Sequence, residues 1–465
     1  MGGHPKGLTT LFFTEFWERF SYYGMRAILT LFMVASVAEG GLGLDVATAA
    51  AIYGFYTAAV FFMGIPGGWI ADRLLGQRNA VLYGGILIAM GHYSLAIDSR
   101  PTFYTGLMLI VLGTGLLKPN ISAIVGQLYS ADDNRRDAGF SIFYMGINMG
   151  AFLAPLVCGT LGERVGWHWG FGAAGVGMTL GLVQYVLGAS RLGNAGILRE
   201  KPKDAGRLWG KLALAVFALV AVFYFLWDYW DYVLLAGFFG VFWWLLSQGR
   251  DPVERKRIGA IIAFFVFAML FWAGFEQAGS SLTLFAKDFT ENSVFGWRFP
   301  ASYYQAVNPL GILALAPLFA WLWVRWGKTQ PSSPAKFVLG LAFLSLGFVV
   351  ITGAAFVSAQ GGSARVSPMW LIGGYVLHTV GELCLSPVGL STVTKLAPQR
   401  LVGSMMGVWF LASSLGNFIG GRIAGLFETF PLTQLFGAVS LTTGASAIIL
   451  LFLIKPIRNL MGGVH

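Results

Sequence analysis

Apolar stretches of about twenty residues follow one another along the chain, separated by short connectors where Gly, Pro and charged residues cluster. Each stretch is long enough to cross a bilayer core at about 1.5 Å of rise per helical residue. The pattern predicts fourteen spans: 8–37, 47–73, 79–97, 102–128, 138–162, 167–189, 208–227, 231–247, 256–286, 300–326, 336–357, 367–396, 401–427 and 431–456. The short alternating segments of a membrane β-barrel are not seen. An all-α polytopic membrane protein is the expected fold class. The opening "MGGHPKG" runs straight into the first span with no short apolar core or cleavage-like site, which reads as a retained helix rather than a removed signal.

Two polar connectors divide the spans. "RLGNAGILREKPKDAGR" (191–207) follows the sixth and "RDPVERKR" (250–257) precedes the ninth, leaving two spans rich in Trp, Phe and Leu between them. The order six, two, six resembles the major facilitator layout of two parallel six-helix repeats with two extra helices inserted. The loop after span 2, "GGWIADRLLGQR", resembles that superfamily's inner-loop pattern, and "WVRWGKTQPSSPAK" is its faint echo in the second half. The expected division is an N-terminal six-helix bundle at 1–190, a linker with two additional helices at 191–255 and a C-terminal six-helix bundle at 256–465.

Composition agrees: 56% of residues are hydrophobic and 11% charged, with a mean hydropathy of +0.69, against about 25% charged in soluble domains. The net charge of +10 does not call for a nucleic-acid partner once its placement is read. With a cytoplasmic N-terminus, 22 of the 31 Lys and Arg fall in or beside inner loops, and only Arg100, Arg164, Lys287, Arg298 and Arg365 fall outside. That is the positive-inside bias, so both termini are expected in the cytoplasm. Cys158 and Cys384 both lie within spans and offer no disulfide framework, and the five histidines show no metal-ligand spacing, so neither a metal nor a cofactor is expected.

Eight ionisable residues fall well inside spans: Glu15, Glu18, Arg19, Arg26, Lys118, Glu276, Glu382 and Arg422. At about 2.5–3.5 kcal/mol each, unpaired charges would together cost on the order of 20 kcal/mol, more than a typical fold's stability. Pairing or hydration in a cavity must offset this. At 100° per residue, Glu15, Arg19, Tyr22 and Arg26 share one stripe of helix 1, with Glu18 beside it. Facing lipid is too unfavourable, so the stripe lines the bundle interior, either as a packing network or as a solute and proton pathway. Depth along the helices matches Arg26 with Glu276 and Lys118 with Glu382, each pair joining the two halves and able to form or break as they rock. Pro119 and Pro387 beside these charges, with Pro66, Pro155 and Pro317, allow kinks.

Here the sequence resembles the proton-dependent oligopeptide transporter family, bacterial type. "EFWERFSYYG" (15–24) matches its first-helix signature E-x-x-E-R-F-x-Y-Y-G, "FYMGINMG" (143–150) its fifth-helix signature and "GTGLLKPN" (113–120) its lysine motif. "FWAGFEQAGSSL" (271–282), "YYQAVNPL" (303–310), "GELCLSPVGLSTVTKLAP" (381–398) and "MMGVWFLASSLGN" (405–417) continue the likeness through the second half. The resemblance implies import of di- and tripeptides by proton symport across the plasma (inner) membrane of a bacterium, by a monomer. It implies peptide binding by Tyr23, Arg26, Lys118, Asn148, Glu276, Asn308, Glu382 and Trp409, and proton coupling by Glu15, Glu18 and Arg19 with Lys118.

Elementary chemistry makes those roles sensible. A short peptide is a zwitterion with constant ends, so a tolerant site grips the ends: Arg26 and Lys118 the carboxylate, Glu276 with Asn148 and Asn308 the ammonium. Trp409, Tyr22, Tyr23 and Phe410 are candidate walls for variable side chains. The sequence departs from the family at Phe61, where many relatives have a tyrosine, and at Gly54, where animal relatives carry a histidine. His92 and His378 are read as structural or interfacial, and Arg422 as paired within its own half. A same-fold carrier of nitrate or an amino-acid derivative is the alternative. An enzyme is not expected, since Ser386 has no base near it in sequence.

Overall fold

The computed structural model describes residues 3–130, 133, 135–198, 204, 206–214, 230–361, 365–398 and 401–462. Every expected span carries helix on its described residues. The first six are α1 (Lys6–Val34), α2 (Val46–Phe62, continued by Gly64–Ile70 and a π-helical turn at Ala71–Leu75), α3 (Gln77–Leu95), α4 (Arg100–Gln127), α5 (Arg136–Arg164) and α6 (Trp167–Gly188). Of the expected span 208–227, residues 215–227 lie outside the described residues; α7 is described over 206–214 and α8 over Trp230–Ser247. The remaining helices are α9 (Pro252–Phe275, resumed at Ser281–Phe289), α10 (Val307–Trp326), α11 (Ser333–Gln360), α12 (Met369–Leu396), α13 (Val402–Ala424) and α14 (Leu432–Met461). Among the described residues, nine helices are long and apolar enough to cross a membrane by length and composition. Helix α1 has the length but carries Glu15, Glu18, Arg19 and Arg26.

The ends are set by local chemistry. Asp45 caps α2 by accepting the Thr48 N–H at 2.8 Å, and Asp251 caps α9 by accepting from Val253 and Glu254 at 2.8 Å, satisfying donors the first turn cannot bond internally. Helix α2 ends at Gly76, whose φ of 77° reverses the chain into α3. Beyond it, Arg78 donates to the carbonyls of Ala195, at 2.6 Å, and Gly193. Gln127 joins Gln77 to the Gly196 N–H at 2.6 and 2.8 Å. The motif after α2 thereby ties the end of α2, the start of α3 and the end of α4 to the chain leaving α6.

The packing repeats. Helix α1 packs on α5 and α6, and α3 on α4 and α6; in the same relative positions α9 packs on α13 and α14, and α11 on α12 and α14. Two apolar clusters fill the first half, one around Met25, Phe32, Phe103 and Phe171 and one around Leu117, Ile121 and Met178. A larger one around Phe264, Phe271, Phe337, Phe348 and Phe436 fills the second. Phe452 and Leu441 on α14 and Leu187 on α6 are among the most exposed apolar side chains, as lipid-facing positions are.

The halves meet along α2 against α13 and α5 against α10. The first seam is closest where Gly54 faces Gly421: a Cβ on Gly54 would lie 2.8 Å from the Gly421 Cα and 3.1 Å from the Asn417 carbonyl oxygen. Backbone cannot yield as a side chain does, so a histidine does not fit here. Gly54→Leu is expected to hold the seam apart: labelling of a Ser302→Cys reporter by a membrane-impermeant maleimide should rise at least fivefold over the Gly54 background. An unchanged rate would show that α2 and α13 need not approach this closely.

Candidate functional site

Helix α1 places three charges in two turns, all out of solvent: Glu15 is 2% exposed, Glu18 0% and Arg19 2%. Arg19 grips Glu18 with both Nε and Nη2, the latter at 2.6 Å from Oε1, and its Nε lies 3.3 Å from Glu15 Oε1. One guanidinium thus serves two carboxylates, the fork geometry that suits Arg to buried pairs. Its carbon sits 5.2 Å from the Tyr22 ring centroid and 6.0 Å from that of Tyr23. Glu15 Oε2 is buried without a hydrogen-bond partner. Lys118, half-buried on α4, lies within electrostatic range of Glu15, Glu18 and Glu276.

Two turns further along α1, Arg26 reaches the second half. Its Nη2 pairs with Glu276 Oε2 and its Nε donates to the Tyr53 hydroxyl at 2.6 Å, with the Arg26 and Glu276 side chains each 7% exposed. Glu276 is delivered by a break: α9 tightens into a 3-10 turn at Glu276–Gly279 before resuming at Ser281. The freed Gly279 carbonyl accepts from Thr30 at 2.7 Å. Gly279 is required here, because a Cβ would sit 1.9 Å from the Tyr53 oxygen. Tyr53 lies about two turns before Phe61 on α2, and nothing in an aromatic-rich helix marks which hydroxyl turns inward. Tyr53→Phe removes a hydrogen bond to a charged group, worth about 1.5–3 kcal/mol. Its KM for the transported solute is expected to rise at least tenfold, and a KM within twofold of the parent's would exclude Tyr53 from orienting Arg26.

The third cluster lies in the second half. Asn308 on α10 donates to Glu382 Oε2 at 2.8 Å and to the Thr379 hydroxyl at 3.1 Å. The expected Lys118–Glu382 pair does not close in this structure. The Lys118 ammonium instead sits 4.3 Å from the Phe61 ring centroid, so the residue standing where relatives have a tyrosine supplies a π face to the cation. Depth placed the two charges at one level, but level fixes neither the direction in which a side chain points nor the separation of the halves.

Asn148 is 5% exposed and donates to the Tyr144 carbonyl at 3.0 Å within α5. Tyr23 is half-buried, with the Arg26 guanidinium 5.6 Å from its ring centroid. Trp409 is packed inside the second half: at 6% exposure it fills the notch at Gly389 and meets Phe337 edge-on at 6.1 Å. The tryptophan packs α13 onto α12 and α11, while its neighbour Phe410 is 40% exposed. His92 is fully buried with neither ring nitrogen hydrogen-bonded, and His378 packs against Phe348. Ser386 Oγ is buried without a partner. Among the described residues, no group of three His, Cys, Asp or Glu side chains is placed to hold a metal ion.

Toward the far ends of α1, α5 and α9 the halves are sealed. Glu163, at the end of α5, accepts the backbone N–H groups of Ala301 and Ser302 at 2.8 and 2.9 Å, where the short 3-10 turn Ala301–Ala306 leads into α10. Thr160 and Tyr303 share a hydrogen bond of 2.7 Å, and Arg164 donates to the Arg298 carbonyl on a hairpin, β1 (Ser293–Val294) and β2 (Trp297–Arg298). Sequence reading missed Glu163; an acid in a helix's last turn usually faces water, and only the free first N–H groups of the 3-10 turn across the seam give it partners.

Residues 78–441 match the model of the POT family. The chain is 42% identical to the peptide transporter YePEPT of Yersinia enterocolitica, covering all of this chain and 96% of that protein. It is 40% identical to the di-/tripeptide transporter of Lactococcus lactis subsp. lactis, over 100% of this chain and 98% of the other. A crystal structure of a peptide transporter POT in complex with sulfate superposes with a TM-score of 0.92 at 45% identity, covering 100% of this chain and 97% of that one. The fold is therefore of the major facilitator type, and the chain belongs to the POT family.

Proposed function

We propose that the protein is a proton-coupled symporter that imports di- and tripeptides by alternating access, working as a monomer in the inner membrane of a bacterium with both termini in the cytoplasm. The observation that carries this reading is the Arg26–Glu276 pair: a buried cation and a buried anion, one from each half, at one depth and beside the Glu15–Glu18–Arg19 cluster. The repeated helix pairing supports a division into bundles at 1–190 and 256–465 with a linker at 191–255. The positive-inside bias supports the orientation. With it, the sealed ends face outward and this state is closed to the outside.

A peptide offers each member of the pair a replacement. Its carboxylate takes the place of Glu276 on Arg26, with Lys118 adding a point charge, and its ammonium takes the place of Arg26 on Glu276, with Glu382, Asn148 and Asn308 as further acceptors. The exchange leaves no buried charge unpaired, so binding and parting of the halves proceed together. Tyr23 forms the adjoining wall. Trp409, packed against α12 and α11, reaches a peptide only if α13 shifts.

The proton enters at helix α1. A buried carboxylate stays charged while Arg19 holds it and takes up a proton when that pairing is lost in a dry site. Glu15, with one oxygen unpartnered, and Glu18 compete for one guanidinium, and Lys118 links them to the peptide's carboxylate. The test is dialanine uptake into liposomes with and without an inward proton gradient and negative interior potential. Accumulation that collapses with an uncoupler supports symport. No dialanine uptake in vesicles that carry another solute, nitrate or an amino-acid derivative, would leave the fold and remove the peptide assignment.

A further inference from the structure

Where α10 and α12 end and α11 begins, with the end of α14 alongside, the helices enclose a crevice of about 1030 Å³. Glu382 is not among the described residues lining it. Ser391, which lines it, is nine residues beyond Glu382 and so about 180° around α12. Part of the lining is apolar, with Phe319, Trp323, Leu383 and Val388. The rest is cationic: Lys336, Lys395 and Arg458, with the hydroxyls of Ser332, Ser391 and Thr392. No aspartate or glutamate is among the described residues lining it.

Lys336 is the informative member. It is only 8% exposed, its Nζ donates to Gln330 Oε1 at 2.7 Å, and it lies 4.3 Å from the Trp323 ring centroid. One neutral amide and one ring face are weak company for a buried ammonium with three donors, and the Lys395 charge lies within range to oppose it. The positive-inside bias explains why cations gather at this level. It works through solvated side chains, however, and gives no reason to bury one. An anion beside Lys336 offsets that repulsion and meets its remaining donors.

We propose that this crevice binds an anionic phospholipid of the cytoplasmic leaflet. Its phosphate is held by Lys336, Lys395 and Arg458, and an acyl chain lies against Phe319, Leu383 and Val388. A free inorganic anion would use the cations and leave the apolar wall empty; a phospholipid uses both, and basic pockets between helices at this face suit such headgroups. Bound there, the lipid clamps α11 and α14 to the end of α12 beyond Pro387.

Native mass spectrometry of the whole chain in neutral detergent tests this, titrating dioleoylphosphatidylglycerol, dioleoylphosphatidylcholine with the same chains, and inorganic phosphate. Phosphatidylglycerol should bind at a concentration at least tenfold lower than phosphatidylcholine. The double variant Lys336→Gln, Lys395→Gln should weaken its binding at least fivefold, and Lys455→Gln should not. Because Lys336 is buried, the exposed Arg458→Gln serves as an independent variant, expected to weaken binding at least twofold. Equal retention of the two lipids, or unchanged binding in both the double variant and Arg458→Gln, overturns the proposal. Displacement of phosphatidylglycerol by millimolar phosphate as effectively as by the lipid itself would make this a free-anion site and overturn the lipid assignment.

Discussion

A Glu18→Gln variant in liposomes is expected to exchange dialanine across the membrane and to fail to concentrate it. A dipeptide zwitterion carries no net charge, so one co-transported proton carries one elementary charge inward. At 100 mV that is worth about 2.3 kcal/mol, or roughly a fiftyfold concentration ratio at 1.4 kcal/mol per decade. A carrier that cannot protonate at this position returns the ratio to about one. Glutamine retains the shape and a carbonyl acceptor for Arg19 but cannot take up or release the proton. Arg19 keeps Glu15 at 3.3 Å as its counter-charge, so the fold should survive, and counterflow exchange is the readout that confirms it. Glu15→Gln should behave likewise if the two carboxylates share the proton. Accumulation above tenfold in the Glu18→Gln protein would remove Glu18 from the proton path.

How much of this site could be read beforehand depends on whether a feature is set within one helix or between helices. The stripe of Glu15, Arg19 and Arg26 follows from 3.6 residues per turn, and the structure keeps it on one face of α1. The Arg26–Glu276 contact needed one further quantity, depth, and the long reach of both side chains absorbed the error. Lys118 and Glu382 fulfil the same depth rule without touching. Lys118 turns toward Phe61 while Glu382 is taken by Asn308; rotation about each helix axis and the spacing of the halves are long-range properties that periodicity does not carry. Trp409 shows the same limit from the other side, since its packing partner is a notch made by Gly389 on another helix. Helix extents on the described residues, by contrast, were legible to within a few residues at most ends, because bilayer thickness and the polar connectors impose them locally. The break at Glu276–Gly279 was not, although the Gly and Ser of "EQAGSS" permit it.

The second large effect is expected at the pair joining the halves. Removing one partner of a buried ion pair leaves the other charge unmet, at a cost of about 3–5 kcal/mol. Glu276→Gln leaves Arg26 buried with the Tyr53 hydroxyl as its remaining bonded partner, and Arg26→Gln strands Glu276. Both single variants should therefore lose thermal stability and lose dialanine uptake by more than tenfold, Glu276→Gln because the ammonium receptor is gone and Arg26→Gln because the carboxylate receptor is gone. Stability alone would not separate a gate from an ordinary packing contact, but the exchanged pair does. Arg26→Glu combined with Glu276→Arg restores opposite charges at the same place, so melting temperature and the slow labelling of a Ser302→Cys reporter should return toward the parent's values. Uptake should recover less, because the peptide's termini would meet their receptors from reversed sides and Lys118 would no longer share the carboxylate with an arginine on α1. If the exchanged variant melts no higher than either single variant, the two side chains do not form a pair that governs closure, and the seam must be held by the Glu163 and Thr160 contacts instead.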